Sequence, residues 1–128
     1  MKILLDTHLL LWAVGFPELL SAPAFELMRD PKNDLYFSAS SIWEVAIKHG
    51  LGRADFKASP GLLRRTLLDD GYEELPILSQ HAVALSSLPP IHKDPFDRIL
   101  IAQAMVEGIT LLTADRVISQ YPGPIQKV

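Results

Sequence analysis

Four acidic side chains in widely separated segments have the chemistry of a shared metal site. They are Asp6, Glu44, Asp97 and Asp115. Carboxylates gathered at one site repel one another and lose hydration, and a divalent cation relieves both penalties. Because the chain has no cysteine, its oxygen ligands favour Mg²⁺ or Mn²⁺ over zinc. Such a metal orients and activates a water for attack at phosphorus, and the sequence leaves open whether one or two metals bind.

Each of these acids also has a plain structural alternative. Asp6 and Asp115 are able to cap the turns that follow them. Glu44 fits a capping box with the serine three residues earlier, and Asp97 would suit the dipole at a helix start. None of these alternatives explains why all four acids should fall at one edge of the fold.

Apolar runs of strand length alternate with helical segments along the chain. Because this order is typical of a parallel sheet covered on both faces, it predicts a three-layer α/β/α fold with four to five short parallel strands. The predicted strands cover 2–5, 35–37, 73–77, 109–113 and 125–127. The predicted helices cover 9–14, 21–29, 40–49, 59–70, 79–86 and 95–107, with Thr7 as the first cap and a short turn at 116–119.

This order of elements predicts where the acids meet. Asp6 and Asp115 follow predicted strands, so both fall at the carboxyl edge of the sheet. Glu44 and Asp97 lie in the first turns of helices that start at the same edge. Open α/β sheets bind ligands outside that edge, and the four acids are therefore expected to share one cleft.

Composition narrows the class of protein. With 128 residues, 48% of them hydrophobic, residues 1–128 are expected to form a single domain. A signal peptide and a membrane-spanning run are not recognisable, so a cytoplasmic protein is expected. The net charge of −3 argues against a general nucleic-acid coat but leaves a nuclease possible.

Aromatic and histidine side chains add weaker signals. Trp12 and Trp43 are expected in the core, and His8 and His92 are candidates to line the cleft. The apolar content of residues 9–20 exceeds what one helix face needs. An exposed apolar patch there would indicate a protein partner.

Four segments together resemble the PIN-domain ribonucleases, and within them the toxins of VapBC-type toxin–antitoxin modules. The resemblance covers nearly the whole chain, and its third segment is the most specific. The segments are Leu4-Leu5-Asp6-Thr7-His8, Ser40-Ser41-Ile42-Trp43-Glu44-Val45-Ala46-Ile47-Lys48, Asp94-Pro95-Phe96-Asp97-Arg98-Ile99-Leu100-Ile101-Ala102-Gln103-Ala104 and Leu112-Thr113-Ala114-Asp115.

The resemblance implies roles for particular residues. It places the family's metal-binding and catalytic acids on Asp6, Glu44, Asp97 and Asp115. Thr113 would support the site with its hydroxyl, and Asp94 is either a helix cap or a further supporting carboxylate. Flanking RNA phosphates are expected to be held by Lys48, Arg98 or Arg116.

The same resemblance implies endonucleolytic cleavage of RNA with Mg²⁺, for which Mn²⁺ can substitute. It further implies inhibition by a cognate antitoxin and a homodimer whose grooves bind the antitoxin. The alternatives are a PIN nuclease of ribosomal RNA processing or flap DNA, and an inactive PIN-type protein-binding module. A haloacid-dehalogenase phosphatase is disfavoured, because it needs an aspartate where this chain has His8.

Overall fold

The computed structural model describes residues 1–53 and 59–128, which build a five-stranded, all-parallel sheet with helices on both faces. The strands are β1 Lys2–Leu5, β2 Asp34–Ser38, β3 Glu73–Leu75, β4 Thr110–Thr113 and β5 Ile125–Lys127. The helices are α1 Thr7–Gly15, α2 Ala22–Arg29, α3 Ala39–Gly50, α4 Pro60–Asp69, α5 Ser79–Ala84 and α6 Pro95–Glu107. This architecture confirms the predicted fold class.

The strand order β3-β2-β1-β4-β5 puts the first strand in the middle of the sheet. Leu4 of β1 pairs with Tyr36 of β2 on one side and with Leu111 of β4 on the other. Because β1 is covered on both faces, its apolar residues need no alternation, and Ile3, Leu4 and Leu5 are fully buried.

Alternate side chains of β1 divide the core into two halves. Ile3 and Leu5 pack with buried residues of α1, α3 and α4. Leu4 packs on the opposite face with the apolar side of α6. Hydrophobic burial on both sides of one thin sheet therefore stabilises the three layers. Because α1 and α3 directly follow β1 and β2, both helices start at the carboxyl edge of the sheet.

Local signals explain most element ends. Asp94 caps α6 and Pro95 occupies its first turn, while Gly108 ends it with φ 67°, a left-handed conformation that glycine adopts readily. The cap of α1 is Asp6, not Thr7 as predicted, because the Asp6 side chain accepts the Leu9 amide. The edge strand β3 is shorter than predicted.

No helix in residues 1–53 and 59–128 combines the length and the hydropathy needed to cross a membrane.

Candidate active site

Adjacent strands β1 and β4 bring Asp6, Thr113 and Asp115 together. Leu5 pairs with Leu112, so the residues that follow them lie side by side at the carboxyl edge. The Thr113 hydroxyl donates to Asp6 Oδ2 and accepts the Asp115 amide at 3.0 Å. Thr113 therefore holds the buried carboxylate of Asp6 against the loop that carries Asp115.

Burial makes the charge of Asp6 unfavourable. Desolvation raises its pKa most, hydrogen bonds from Thr113 and the Leu9 amide lower it, and the nearby Asp115 raises it. A cavity of about 210 Å³ opens beside the two acids, lined also by His8, Trp12 and Ala114. A cation in this cavity would offset both desolvation and repulsion.

The start of α6 carries a second acidic group. Asp94 Oδ1 accepts the Phe96 and Asp97 amides at 2.9 and 3.4 Å, which makes Asp94 the helix cap. His92 Nε2 lies 2.8 Å from Asp97 Oδ2. Among the described residues, His92, Asp94 and Asp97 form a group whose possible ligand atoms all lie within 4.8 Å of one another.

The environment of Asp97 keeps its proton bound to a higher pH than usual. Burial and then the neighbouring Asp94 raise the pKa to about 6, although the hydrogen bond from His92 lowers it. Glu44 raises it further, which indicates that this α3 carboxylate lies close to Asp97. A cation bound here would favour the charged form of Asp97 and reverse the shift.

Glu44 is a buried carboxylate with one satisfied oxygen. Its Oε2 forms an ion pair with Lys48 one helical turn later, whereas Oε1 has no hydrogen-bond partner among the described residues. Buried polar atoms are almost always paired, so a missing partner marks a place for a bound group. The chemistry of this oxygen suits a metal or a metal-bound water.

The predicted acids therefore come together in two neighbourhoods rather than in one tight ligand cluster. Asp6 lies with Asp115, and Glu44 lies with Asp97. A buried hydrogen bond of 2.9 Å between the Thr7 and Ser41 hydroxyls joins the starts of α1 and α3, the elements that carry Asp6 and Glu44.

A buried polar network behind the site was not anticipated from the sequence. Gln103 Oε1 accepts the Ser38 hydroxyl at 2.6 Å, and its amide donates to the Pro76 carbonyl at 3.2 Å. These bonds tie α6 to the carboxyl ends of β2 and β3. The available signal was a glutamine inside the otherwise apolar run of α6.

The basic residues expected to contact phosphates differ in their surroundings. The Arg98 guanidinium donates to the carbonyls of Leu85, Pro89 and His92 and to the Tyr121 hydroxyl, at 3.0 to 3.4 Å. These bonds make Arg98 a tie for its loops, contrary to the expected phosphate contact. Lys48 pairs with Glu44, and Arg116 is exposed beside Asp115.

Trp43 is 58% exposed, so its predicted place in the core is wrong. The inward face of α3 is occupied by Ser41, Glu44 and Val45, which leaves the indole outside. It packs edge-on against Phe96, with ring centroids 5.0 Å apart and planes at 77°.

Comparison with known proteins matches residues 3–124 to the model of the PIN domain family. A chain of the VapBC2 complex from Rickettsia felis, bound to a promoter DNA fragment, has a TM-score of 0.76 at 12% identity, covering 100% of this chain and 99% of that one. VapBC-1 from nontypeable Haemophilus influenzae gives 0.63 at 18% identity, with 99% and 98% covered. A domain of a functionally unknown Methanocaldococcus jannaschii protein gives 0.62 at 15%, with 99% and 90% covered. No curated protein matched.

Proposed function

The chain belongs to the PIN domain family, and from that premise we propose that it is a metal-dependent endoribonuclease acting as the toxin of a type II toxin–antitoxin pair. The observation that carries the nuclease proposal is the buried Glu44, whose Oε1 has no partner among the described residues. The Glu44 carboxylate also contributes to the raised pKa of Asp97, which is about 6 and is caused mainly by burial and by Asp94. Both features are those of a carboxylate site that is completed by a cation.

The donors fit Mg²⁺ or Mn²⁺ better than a thiophilic metal. Carboxylate oxygens dominate, and the chain contains no cysteine. Asp97 and Glu44 would hold the metal from one neighbourhood, and Asp6 and Asp115 would supply oxygen donors from the other, directly or through water. When bound, such an ion lowers the pKa of a water and stabilises negative charge on the phosphate.

Other side chains of the protein would hold the acids in place, balance their charge and contact the phosphate. The Thr113 hydroxyl fixes the orientation of the Asp6 carboxylate, and the Asp94 cap holds the first turn of α6 so that Asp97 stays in place. Lys48 balances one negative charge of Glu44. Arg116 is the proposed phosphate contact, because it is exposed next to Asp115.

The toxin part of the proposal has separate support. The two VapBC structures have the same fold as this chain over nearly its full length. Three large apolar side chains after α1 are exposed: Phe16, Leu19 and Phe25, at 52%, 53% and 46%. Exposed apolar surface of this kind suits a protein partner, here a cognate antitoxin that binds a homodimer of the chain.

Cleavage of RNA by the purified chain tests the nuclease proposal. We expect cleavage with Mg²⁺ or Mn²⁺, loss of cleavage in EDTA, and loss by at least about a hundredfold in Asp97→Asn. Asp34→Asn is the matched control, because Asp34 is exposed at the opposite edge of the sheet and this variant should cleave normally. Metal-independent cleavage, or an active Asp97→Asn, would refute the proposal.

Expression in a bacterial host tests the toxin role separately. We expect growth arrest with the wild-type chain, none with Asp97→Asn, and relief when the neighbouring reading frame is co-expressed. An active nuclease that arrests growth regardless of that neighbour would favour RNA processing instead. A chain that binds a partner but cleaves no RNA would favour the inactive binding module.

A further inference from the structure

An aromatic pair, exposed Trp43 and half-buried Phe96, lies beside the candidate active site. Trp43 on α3 is 58% exposed and contacts Phe96 at the start of α6 edge-on. Ile47, one helical turn after Trp43, is 40% exposed and extends the apolar surface. Tryptophan is highly buried on average in folded proteins, so this degree of exposure needs a reason.

The position of the pair supplies that reason. Trp43 directly precedes Glu44, and Phe96 directly precedes Asp97, so each ring is one residue away from an acid of the site. The Lys48 ammonium pairs with Glu44 and also lies 5.9 Å from the centroid of the Phe96 ring. The pair therefore forms the rim of the site on the side where α3 meets α6.

We propose that Trp43 and Phe96 form a platform on which an unpaired base of single-stranded RNA stacks, next to the phosphate held at the acids. The proposal rests on the nuclease function proposed above and adds a base-binding contact at its rim. Aromatic faces stack on any unpaired base, whereas the bases of an A-form duplex are closed to such contact. Because the acids of the site repel RNA phosphates, an apolar contact with a base beside them would add to the affinity.

Direct binding tests the platform without requiring cleavage. A fluorescein-labelled single-stranded RNA of mixed sequence is titrated by anisotropy, with all variants made in the Asp97→Asn background. We expect Trp43→Leu to weaken binding by about 5- to 150-fold, the range for losing one stacked base, and Trp43→Phe to restore most of it. Val83→Ala is the control, because Val83 on α5 is an apolar side chain that is 72% exposed.

In the active chain, the same change should raise KM more than it lowers kcat, because a positioning residue acts on substrate binding. A duplex of the same RNA should bind equally to Trp43→Leu and to the parent. Binding of single strands unaffected by Trp43→Leu would overturn the platform even if cleavage depends on Asp97. Trp43-dependent binding without cleavage would keep the platform and refute the nuclease.

The same variant distinguishes RNA from two other molecules that could cover this surface, a second copy of the chain and the antitoxin. If Trp43→Leu converts a dimer into a monomer by light scattering, the pair belongs to a contact between copies and the proposal fails. If it releases a co-expressed antitoxin while single-stranded RNA binds as before, the surface serves the antitoxin and the proposal also fails.

Discussion

Replacing Asp97 by asparagine should stabilise the metal-free protein while abolishing its activity. The ordinary pKa of an aspartate is 3.8, and burial together with Asp94 and Glu44 raises that of Asp97 to about 6. A carboxylate whose pKa is raised by folding is one whose charge opposes folding. The asparagine side chain would have no charge and could still face His92, so the opposing interaction is removed at little cost in packing.

The sign and size of the effect follow from the shift. Between about pH 4 and pH 6, the folded chain keeps a proton on Asp97 that the unfolded chain has lost, so stability falls as pH rises through this window. At about 1.36 kcal/mol per pH unit, the full shift corresponds to about 3 kcal/mol. Because the side chain is 17% exposed, solvent screens part of this, and we expect about 1–2 kcal/mol.

Urea unfolding with EDTA measures this difference directly. At about pH 7.5, Asp97→Asn should be more stable than the wild type by about 1–2 kcal/mol, with a melting temperature higher by several degrees. At about pH 3, below the ordinary pKa of 3.8, the wild-type residue is mostly protonated in both the folded and the unfolded state, and the difference should nearly vanish. Asp34→Asn, at the opposite edge, should change stability by less than about 0.5 kcal/mol at either pH.

Metal should make the wild type more stable than Asp97→Asn, which is the reverse of their order in EDTA. A cation that binds only the folded state stabilises by about 2.7 kcal/mol at a hundredfold excess over Kd, and Mn²⁺ should do so for the wild type alone. A destabilised Asp97→Asn at neutral pH would refute this account of the electrostatics. So would a gain in stability of equal size at about pH 3, because the charge would then not be its cause.

Three further substitutions test individual contacts. Thr113→Val removes the hydroxyl that holds Asp6 and should reduce the free energy of unfolding by about 1–3 kcal/mol and lower kcat, as urea unfolding and RNA cleavage would show. Lys48→Met removes the ion-pair partner of the buried Glu44 carboxylate, so unfolding should become easier by about 3–5 kcal/mol without metal, with part of the loss restored by Mn²⁺. Arg98→Gln should lower the melting temperature but leave the salt dependence of RNA binding unchanged, whereas loss of a phosphate contact would reduce that slope by about one.

The architecture could be predicted from the sequence because the residues that start and end its strands and helices act locally. The strand–helix alternation identified β1 and β5 with their bounds, and a cap, a proline and a glycine bound α6 at both ends. Element ends without such signals were less accurate. Thr7 and Asp6 are both capping residues, and only the geometry of α1 decides between them.

The sequence could predict which acids lie near one another at the site, but it could not predict which hydrogen bonds the side chains around it form. Strand order places Asp6 beside Asp115 whatever their side chains do, since both follow adjacent parallel strands. Arg98, by contrast, bonds to acceptors brought together from residues 85, 89, 92 and 121. A single sequence offers no signal for such an arrangement, and a phosphate contact was therefore an equally reasonable expectation.

Capping and metal binding, treated as alternatives for each acid, turn out to be compatible uses of one carboxylate. Asp6 caps α1 through Oδ1 and is held by Thr113 through Oδ2, and Asp115 caps its own turn through Oδ1. A cap fixes the backbone and the rotamer of the acid, and fixed ligands are what a metal site requires. The turns that these acids cap thus orient their carboxylates at the carboxyl edge. Repulsion between the carboxylates lowers the stability of the metal-free protein, and the same repulsion favours binding of a cation. Stability without metal and affinity for metal should therefore change in opposite directions across variants of these acids, which the measurements on Asp97→Asn test first.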